Sequence, residues 1–257
     1  MALEIPLLRV EWAEEHIRNL SRASDALFAS GAYGLVVAEN SKAQQRRLRI
    51  VPYDPLPPHF GLRIGDAIHN LRSALDLATW EIVSPLNPRN PEQVQFPFVK
   101  KFEGPQSLER AIENRGINLA SKNIIQAFRE SRPYDGGNKD LFGLHILDIA
   151  DKHKLLVPAI TILSINKLDL GAIDPGNMPN ASLIGGRVRP NKEGHLPFFW
   201  TFKPGSPPIN QNAVINASFG IMFDTGLHFD GEMVVPTLVR IATEVRRTID
   251  HIRSAVT

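Results

Sequence analysis

Two stretches of the chain carry side chains whose types and spacing could do chemistry. In Gly65–Asp76, GDAIHNLRSALD, the residues His69, Arg72 and Asp76 recur at i, i+3 and i+7. On a helix they line up along one edge, with Asp66, Asn70 and Ser73 beside them. In Leu141–Val157, LFGLHILDIADKHKLLV, the residues His145, Asp148, Asp151, Lys152 and His153 are embedded in apolar sequence. An imidazole can give or take a proton, and a guanidinium or ammonium group can stabilise charge developing on a phosphate. If the two stretches face each other, His69, Arg72, Asp76, His145, Asp148, Lys152 and His153 form a catalytic set. His69 or His153 is then the acid/base group, Arg72 or Lys152 the electrostatic stabiliser, and Asp66, Asn70, Ser73 and Asp151 line the site.

The residue types are unusual for a solvated helix face, which is normally filled with Lys, Glu and Gln. His, Asn, Ser and Asp in mid-helix imply tertiary hydrogen bonds that offset their propensity cost. Such bonds suit either a ligand site or a structural lock, and the residues alone leave both readings open. A third reading uses Asp66 and His69 with His145, Asp148, Asp151 and His153 to hold a divalent metal between facing helices. The Glu-x-x-His pattern of bundle metal sites does not occur, and Lys152 beside His145 would oppose a cation. No metal is therefore expected. The spacing Arg-x(4–6)-His links Arg63 to His69, but it also links Arg9 to His16, Arg189 to His195 and Arg246 to His251, so it carries no weight alone. On one helix, Arg63 and His69 would point about 120° apart. There is no Gly-Lys pair, HExxH, GxSxG or GxGxxG, which removes the commonest ATPase, zincin, α/β-hydrolase and dinucleotide-enzyme readings. No cofactor is expected.

The elements that must position these residues follow from periodicity. Val10, Ala13, Ile17, Leu20 and Leu27 predict a helix from about Leu7 to Ser30, stopped by Gly31. Residues 34–50 read as strand, and the Pro-rich PYDPLPPHF segment aims the helix that follows. That helix, 61–83, buries Ile64, Ala67, Ile68, Leu71, Ala74, Leu75, Ala78 and Ile82 on one face. An irregular Pro-rich crossing leads to short helices at 107–114, capped by Ser107, and at 121–131. The second chemical stretch opens at Asp140. After Pro158 the segments ITILSINKLDL, SLIGGRVRP, LPFFWTFK and NAVINASFGIMF read as antiparallel strands. Pro236 opens a last helix whose Leu238, Ile241, Val245, Ile249 and Ile252 need a partner, which the N-terminal helices supply.

The chain has 257 residues, 43% hydrophobic and 22% charged, with 20 prolines and 18 glycines. That suffices for one large domain or a domain carrying an insertion. It has no cysteine, which excludes disulfides and thiolate metal sites. A formal charge of +2 does not by itself argue for nucleic acid, although Arg46, Arg47 and Arg49 make a local basic cluster. Arg9 and Glu11 interrupt the N-terminus before a signal-type apolar core, and the run at 155–163 is broken by Pro158, well short of the ~20 residues that span a bilayer. A soluble, cytoplasmic protein with no membrane partner is the expectation.

The blocks GDAIHNLRSALD at 65–76, FP at Phe96 and Pro97, PY at Pro133 and Tyr134, and DKHK at 151–154 resemble those of a group of uncharacterised bacterial proteins that carry them in this order. In that pattern a His often follows the ALD triplet, where this chain has Leu77. More distantly, the long helices and the Arg/His placement resemble the HEPN superfamily, helical-bundle proteins that are often RNases of bacterial defence or toxin systems and often dimerise. A polar residue usually follows the Arg of active members; Arg63 precedes Ile64 and Arg72 precedes Ser73, so neither reproduces the pattern cleanly. The resemblance implies RNA as a partner, a homodimer, and either an RNase or an inactive, binding-only member.

The expected fold is a single α+β domain over 1–257. A HEPN-like helical bundle spans 1–158 and 235–257, a β-rich insertion with an antiparallel sheet spans 159–234, and the C-terminal helix returns to the bundle. The leading functional expectation is an RNA-acting or defence-associated protein. The alternatives are a non-catalytic binding or assembly module, working through the sheet aromatics Phe198, Phe199 and Trp200 around a structural polar network, and a metal-dependent enzyme with His and Asp ligands.

Overall fold

The apolar stripes read from the sequence find one another in the computed structural model, which describes residues 3–52, 56–153, 158–169, 173–174, 182–183, 190–191, 193–209, 216–224 and 228–256. Helix α1 (Glu4–Ala29) buries Val10, Ala13, Ile17 and Leu20. Helix α2 (His59–Val83) lies against it and buries Ile64, Ala67, Ile68, Leu71, Ala74, Leu75 and Ala78. Polar ties along their length show that the two run antiparallel. The Leu3 amide donates to Glu81 Oε2 at 3.0 Å, Arg9 Nη1 to Asn70 Oδ1 at 3.0 Å, and Arg63 Nη1 to the Asn19 carbonyl at 3.4 Å.

Helix α3 (Pro105–Asn114) starts two residues before Ser107. Proline at the first turn needs no amide partner, and Ser107 Oγ instead accepts from the Glu103 amide at 3.1 Å. Helix α4 (Lys122–Ser131) is capped by Ser121, whose side chain accepts from the Ile124 amide. Helix α5 (Lys139–His153) begins where Asn138 Oδ1 accepts from the amides of Asp140 and Leu141, filling donors that a helix start leaves free. Helix α6 (Val234–Ser254) returns its buried face, Leu238, Ile241, Val245, Ile249 and Ile252, to α1, α2 and α5, as its periodicity requires. The architecture is α+β.

Two antiparallel three-stranded sheets complete the fold. Strands β1 (Gly34–Asn40) and β2 (Gln45–Val51) form a hairpin paired from Gly34↔Val51 to Asn40↔Gln45. Strand β3 (Ala159–Asp169) lies between β4 (Ser182–Leu183) and β6 (Asn216–Met222). Strand β5 (His195–Thr201) leaves that group and pairs with β2, with Arg47 opposite Phe199. The strands after Pro158 therefore divide between two sheets, because the N-terminal hairpin offers a free edge that β5 completes.

A buried charge cluster explains that choice. Arg46 is 2% exposed and pairs with Glu39 at 2.9 Å and Asp174 at 2.7 Å, its guanidinium over the Phe202 ring at 4.3 Å. Trp200 of β5 donates from Nε1 to Asp174 Oδ2 at 2.8 Å. Of the local basic cluster only Arg46 is buried: Arg49 Nε donates to the Glu193 carbonyl and Arg47 lies over the exposed ring of Phe199. Phe199 is exposed while Trp200 is core, and the Phe198 side chain lies outside the described residues. Among the described residues no helix is long and apolar enough to cross a membrane.

Glu232 fastens α6 to the start of α5. Its carboxylate accepts from Lys139 Nζ at 2.6 Å, Arg240 Nη2 at 2.8 Å and Thr237 Oγ1 at 3.1 Å. Partial burial disfavours its charge, but these donors outweigh that and hold its pKa at about 2. A carboxyl depressed in this way stabilises the fold above its unfolded pKa and loses that contribution as pH falls toward 2. Glu232→Gln is expected to cost about 2 kcal/mol at pH 7, roughly 5 °C in thermal melts. The gap from wild type should close progressively below pH 4.5.

Candidate functional site

Helices α2 and α5 meet face to face, and a missing side chain lets them. A Cβ on Gly65 would come within 2.5 Å of Asp151 Oδ2 and 2.8 Å of Oδ1, so only glycine admits the Asp151 carboxylate against α2 at this point. One turn further along α2, His69 Nδ1 stands 3.6 Å from Asp148 Oδ1. Another turn on, Arg72 and His145 share the ring of Phe98: the guanidinium lies 4.3 Å from its centroid and the imidazole stacks on it at 4.7 Å with 8° between planes. Ascending α2 thus descends α5. The two chemical stretches lie side by side and antiparallel.

The row they form divides into a locked half and an open half. In the locked half, Arg72 is 6% exposed and donates from Nη1 to Asp76 Oδ1 and from Nη2 to Gln95 Oε1. Asp76 Oδ1 also accepts the Phe96 amide at 2.8 Å, which fastens the irregular crossing loop to α2. His145 is half-buried, and its Nδ1 has no hydrogen-bond partner among the described residues. Burial first, then the charges of Arg72, Lys152 and Lys100, push its pKa down to about 4 against a smaller opposing effect of Asp148. At neutral pH His145 is an uncharged ring packed on Phe98.

In the open half, Asp148 is 3% exposed, yet its two oxygens serve two groups at the surface. Oδ2 accepts from Lys152 Nζ at 2.7 Å and Oδ1 faces His69 Nδ1. The side chains of His69 and Lys152 are 61% and 58% exposed. Ser73 Oγ lies 3.4 Å from His69 Nε2, so Ser73, His69 and Asp148 follow one another in the order of a hydrolase triad. Ser73 sits in the middle of α2, however, whose amides are taken up by the helix itself, so the helix offers it no oxyanion donors.

The remaining expected residues take separate places. Asn70 bridges helices, accepting from Arg9 and donating from Nδ2 to the Asp66 carbonyl at 2.8 Å. Asp66 is exposed and makes no ion pair among the described residues. His153 ends α5, and its side chain lies outside the described residues, as does everything from Lys154 to Val157. No group of three His, Asp or Glu side chains among the described residues could hold a metal ion. The metal-ligand arrangement fails because Asp66 faces solvent, Asp148 takes an ammonium group and Asp151 packs on Gly65. Phe98 and Gln95 complete the locked half without having been signalled by periodicity; only their neighbours Phe96 and Pro97 belong to a recognisable block.

Two expectations follow. A His whose folded pKa is lowered weakens the fold as pH drops from its unfolded value of 6.5 toward about 4, because the unfolded chain then binds a proton the native chain refuses. His145→Phe leaves no donor or acceptor stranded, so it should be near neutral in melting temperature at pH 7.5 and clearly more stable than wild type at pH 5. Gly65→Ala should cost about 1–3 kcal/mol through the clash with Asp151, measured by urea unfolding.

Comparison of the chain with family models, with curated proteins and with solved structures gave no match in any of the three.

Proposed function

We propose that the chain is a HEPN-like protein acting on RNA, and that its reactive groups are His69 and Lys152, held by Asp148. One observation carries this reading: a buried carboxylate with one oxygen bonded to an exposed ammonium group and the other 3.6 Å from an exposed imidazole. A general base oriented by a carboxylate, next to a cation that can meet developing negative charge, is what cleavage of RNA by its own 2′-hydroxyl needs. His69 takes the 2′-hydroxyl proton as that oxygen attacks the neighbouring phosphorus. Lys152 stabilises the charge gathering on the non-bridging oxygens. The bond from phosphorus to the 5′-oxygen breaks, solvent supplies that oxygen with its proton, and a 2′,3′-cyclic phosphate remains. Arg72, Asp76 and His145 do not touch the substrate in this scheme; they hold α2, the crossing loop and α5 at the spacing that lets Asp148 reach His69.

The buried half favours a second reading, a binding or assembly module in which the whole row is a lock. Arg72 between Asp76, Gln95 and Phe98 is the observation behind it. Purified full-length protein incubated with mixed RNA separates the two. The catalytic reading expects fragments ending in 2′,3′-cyclic phosphate, none from a 2′-deoxy substrate, and a rate at least about 100-fold lower in His69→Ala and Lys152→Ala at unchanged melting temperature. Intact RNA, or cleavage by both variants at the wild-type rate, rejects it in favour of the lock.

A further inference from the structure

Phe98 also borders a cleft of about 390 Å³ between the crossing loop and α3. Its lining is strongly one-signed. Lys100, Lys101, Arg110 and Arg115 contribute cations, and Glu103 is the single acidic residue among the lining groups. Glu103 is already paired with Lys101 at 2.8 Å. Lys100, Arg110 and Arg115 have no carboxylate within ion-pair distance among the described residues, and neither arginine is saturated. Arg110 Nε donates to the Gln106 carbonyl at 3.2 Å and Arg115 Nη1 to the Gln93 carbonyl at 3.3 Å. Each guanidinium has five N–H donors, so most remain to be used.

Arg115 is the informative member. It is half-buried, and its charge is disfavoured first by burial and then by the neighbouring charge of Arg72, with only partial relief from Asp76. A cation drawn out of water beside another cation, facing a cleft rather than a carboxylate, is a standing electrostatic cost that a bound anion would remove. The two fully buried arginines of this protein, by contrast, are matched by carboxylates: Arg46 by Glu39 and Asp174, and Arg72 by Asp76. At this cleft four cations converge on an open space with one acid among them.

We propose that the cleft binds a phosphorylated small molecule carrying at least two negative charges, its phosphoryl oxygens held by Lys100, Arg110 and Arg115. Three unpaired cations suit a dianion or diphosphate better than a single carboxylate, and two guanidinium forks match phosphoryl oxygens in paired hydrogen bonds. Gln93 and Asn114 add amide groups at the wall for the uncharged part of the ligand. The volume falls in the range of small-molecule sites. The site does not depend on RNA cleavage: none of its three cations belongs to the His69, Asp148 and Lys152 group.

The test is calorimetric titration of the full-length protein with pyrophosphate, ADP and a ten-nucleotide RNA, each at low and moderate salt. Pyrophosphate or ADP should bind saturably and weaken with salt. The double variant Lys100→Gln/Arg110→Gln changes two exposed side chains, so it should keep the wild-type melting curve and lose at least ten-fold in affinity, with Arg115→Gln losing a similar factor. His69→Ala should bind as wild type, which separates this site from the catalytic proposal. Failure of both pyrophosphate and ADP to bind, binding of RNA alone, or binding that the double variant leaves unchanged would each overturn the inference.

Discussion

One absent methyl group lets the Asp151 carboxylate of α5 lie against the backbone of α2. With any side chain at residue 65, the Asp151 carboxylate could not lie on the backbone of α2 and would have to turn away. One turn from Asp151, Asp148 comes within 3.6 Å of His69, and about two turns away His145 stacks on Phe98. A glycine placed where a helix interior would prefer alanine costs roughly 1 kcal/mol in propensity. The chain accepts that cost at a position where it makes room for a carboxylate of the facing helix.

Three buried or half-buried carboxylates then repeat one device, a single acid shared among donors from different parts of the chain. Asp76 holds Arg72 and the Phe96 amide, and so ties α2 to the crossing loop. Asp174 holds Arg46 and Trp200, and so ties the N-terminal hairpin to β5. Asp148 holds Lys152 and faces His69. In the first two, all partners are interior or nearly so, and the result is a rigid joint. In the third, the carboxylate is buried and its partners are not. There the exposed partners contribute little to stability, while the buried member still bears its desolvation cost.

How much of this was legible in the sequence depends on the range of the interaction. The helix stripes were readable because burial follows a period of 3.6 residues: Ile64 to Ala78 on α2 and Leu238 to Ile252 on α6 lie where spacing puts them. The meeting of the two polar stretches was readable as well, since poor helix formers such as Asn70, Ser73 and Asp148 belong in mid-helix only with tertiary partners. Their grouping was not. Arg72 and His69 share an edge of α2, but which one stays free depends on Phe98 and Gln95, which come from an irregular loop with no periodicity to place them. Period two puts Arg46 on the face of the buried Leu48 and Ile50, and Arg47 and Arg49 on the other, but nothing local supplies all the partners a buried cation needs. In a strand, one face looks inward, but the acid that meets Arg46 there comes from 128 positions downstream. The departure of β5 to the other sheet has the same origin, since strand pairing over long separations is decided by edges and side-chain contacts rather than by the strand's own sequence.

The crossing loop therefore has more influence on the site than its composition suggests. Within a few residues it supplies Gln95 to Arg72, the Phe96 amide to Asp76, the Phe98 ring to both Arg72 and His145, and Lys100 to a cleft on its other side. A loop rich in proline is suited to this, because fixed φ angles lower the entropy lost when it is held in one path. Phe98 is the shared wall: the same ring that keeps a neutral imidazole and a guanidinium apart from water borders a space where other cations wait without acids. Electrostatics links the two sides, since Arg72 adds to the unfavourable field at both His145 and Arg115. An anion entering the cleft would offset that field at Arg115 first and at His145 more weakly, so the two regions are coupled through Arg72 even though their side chains serve different ends.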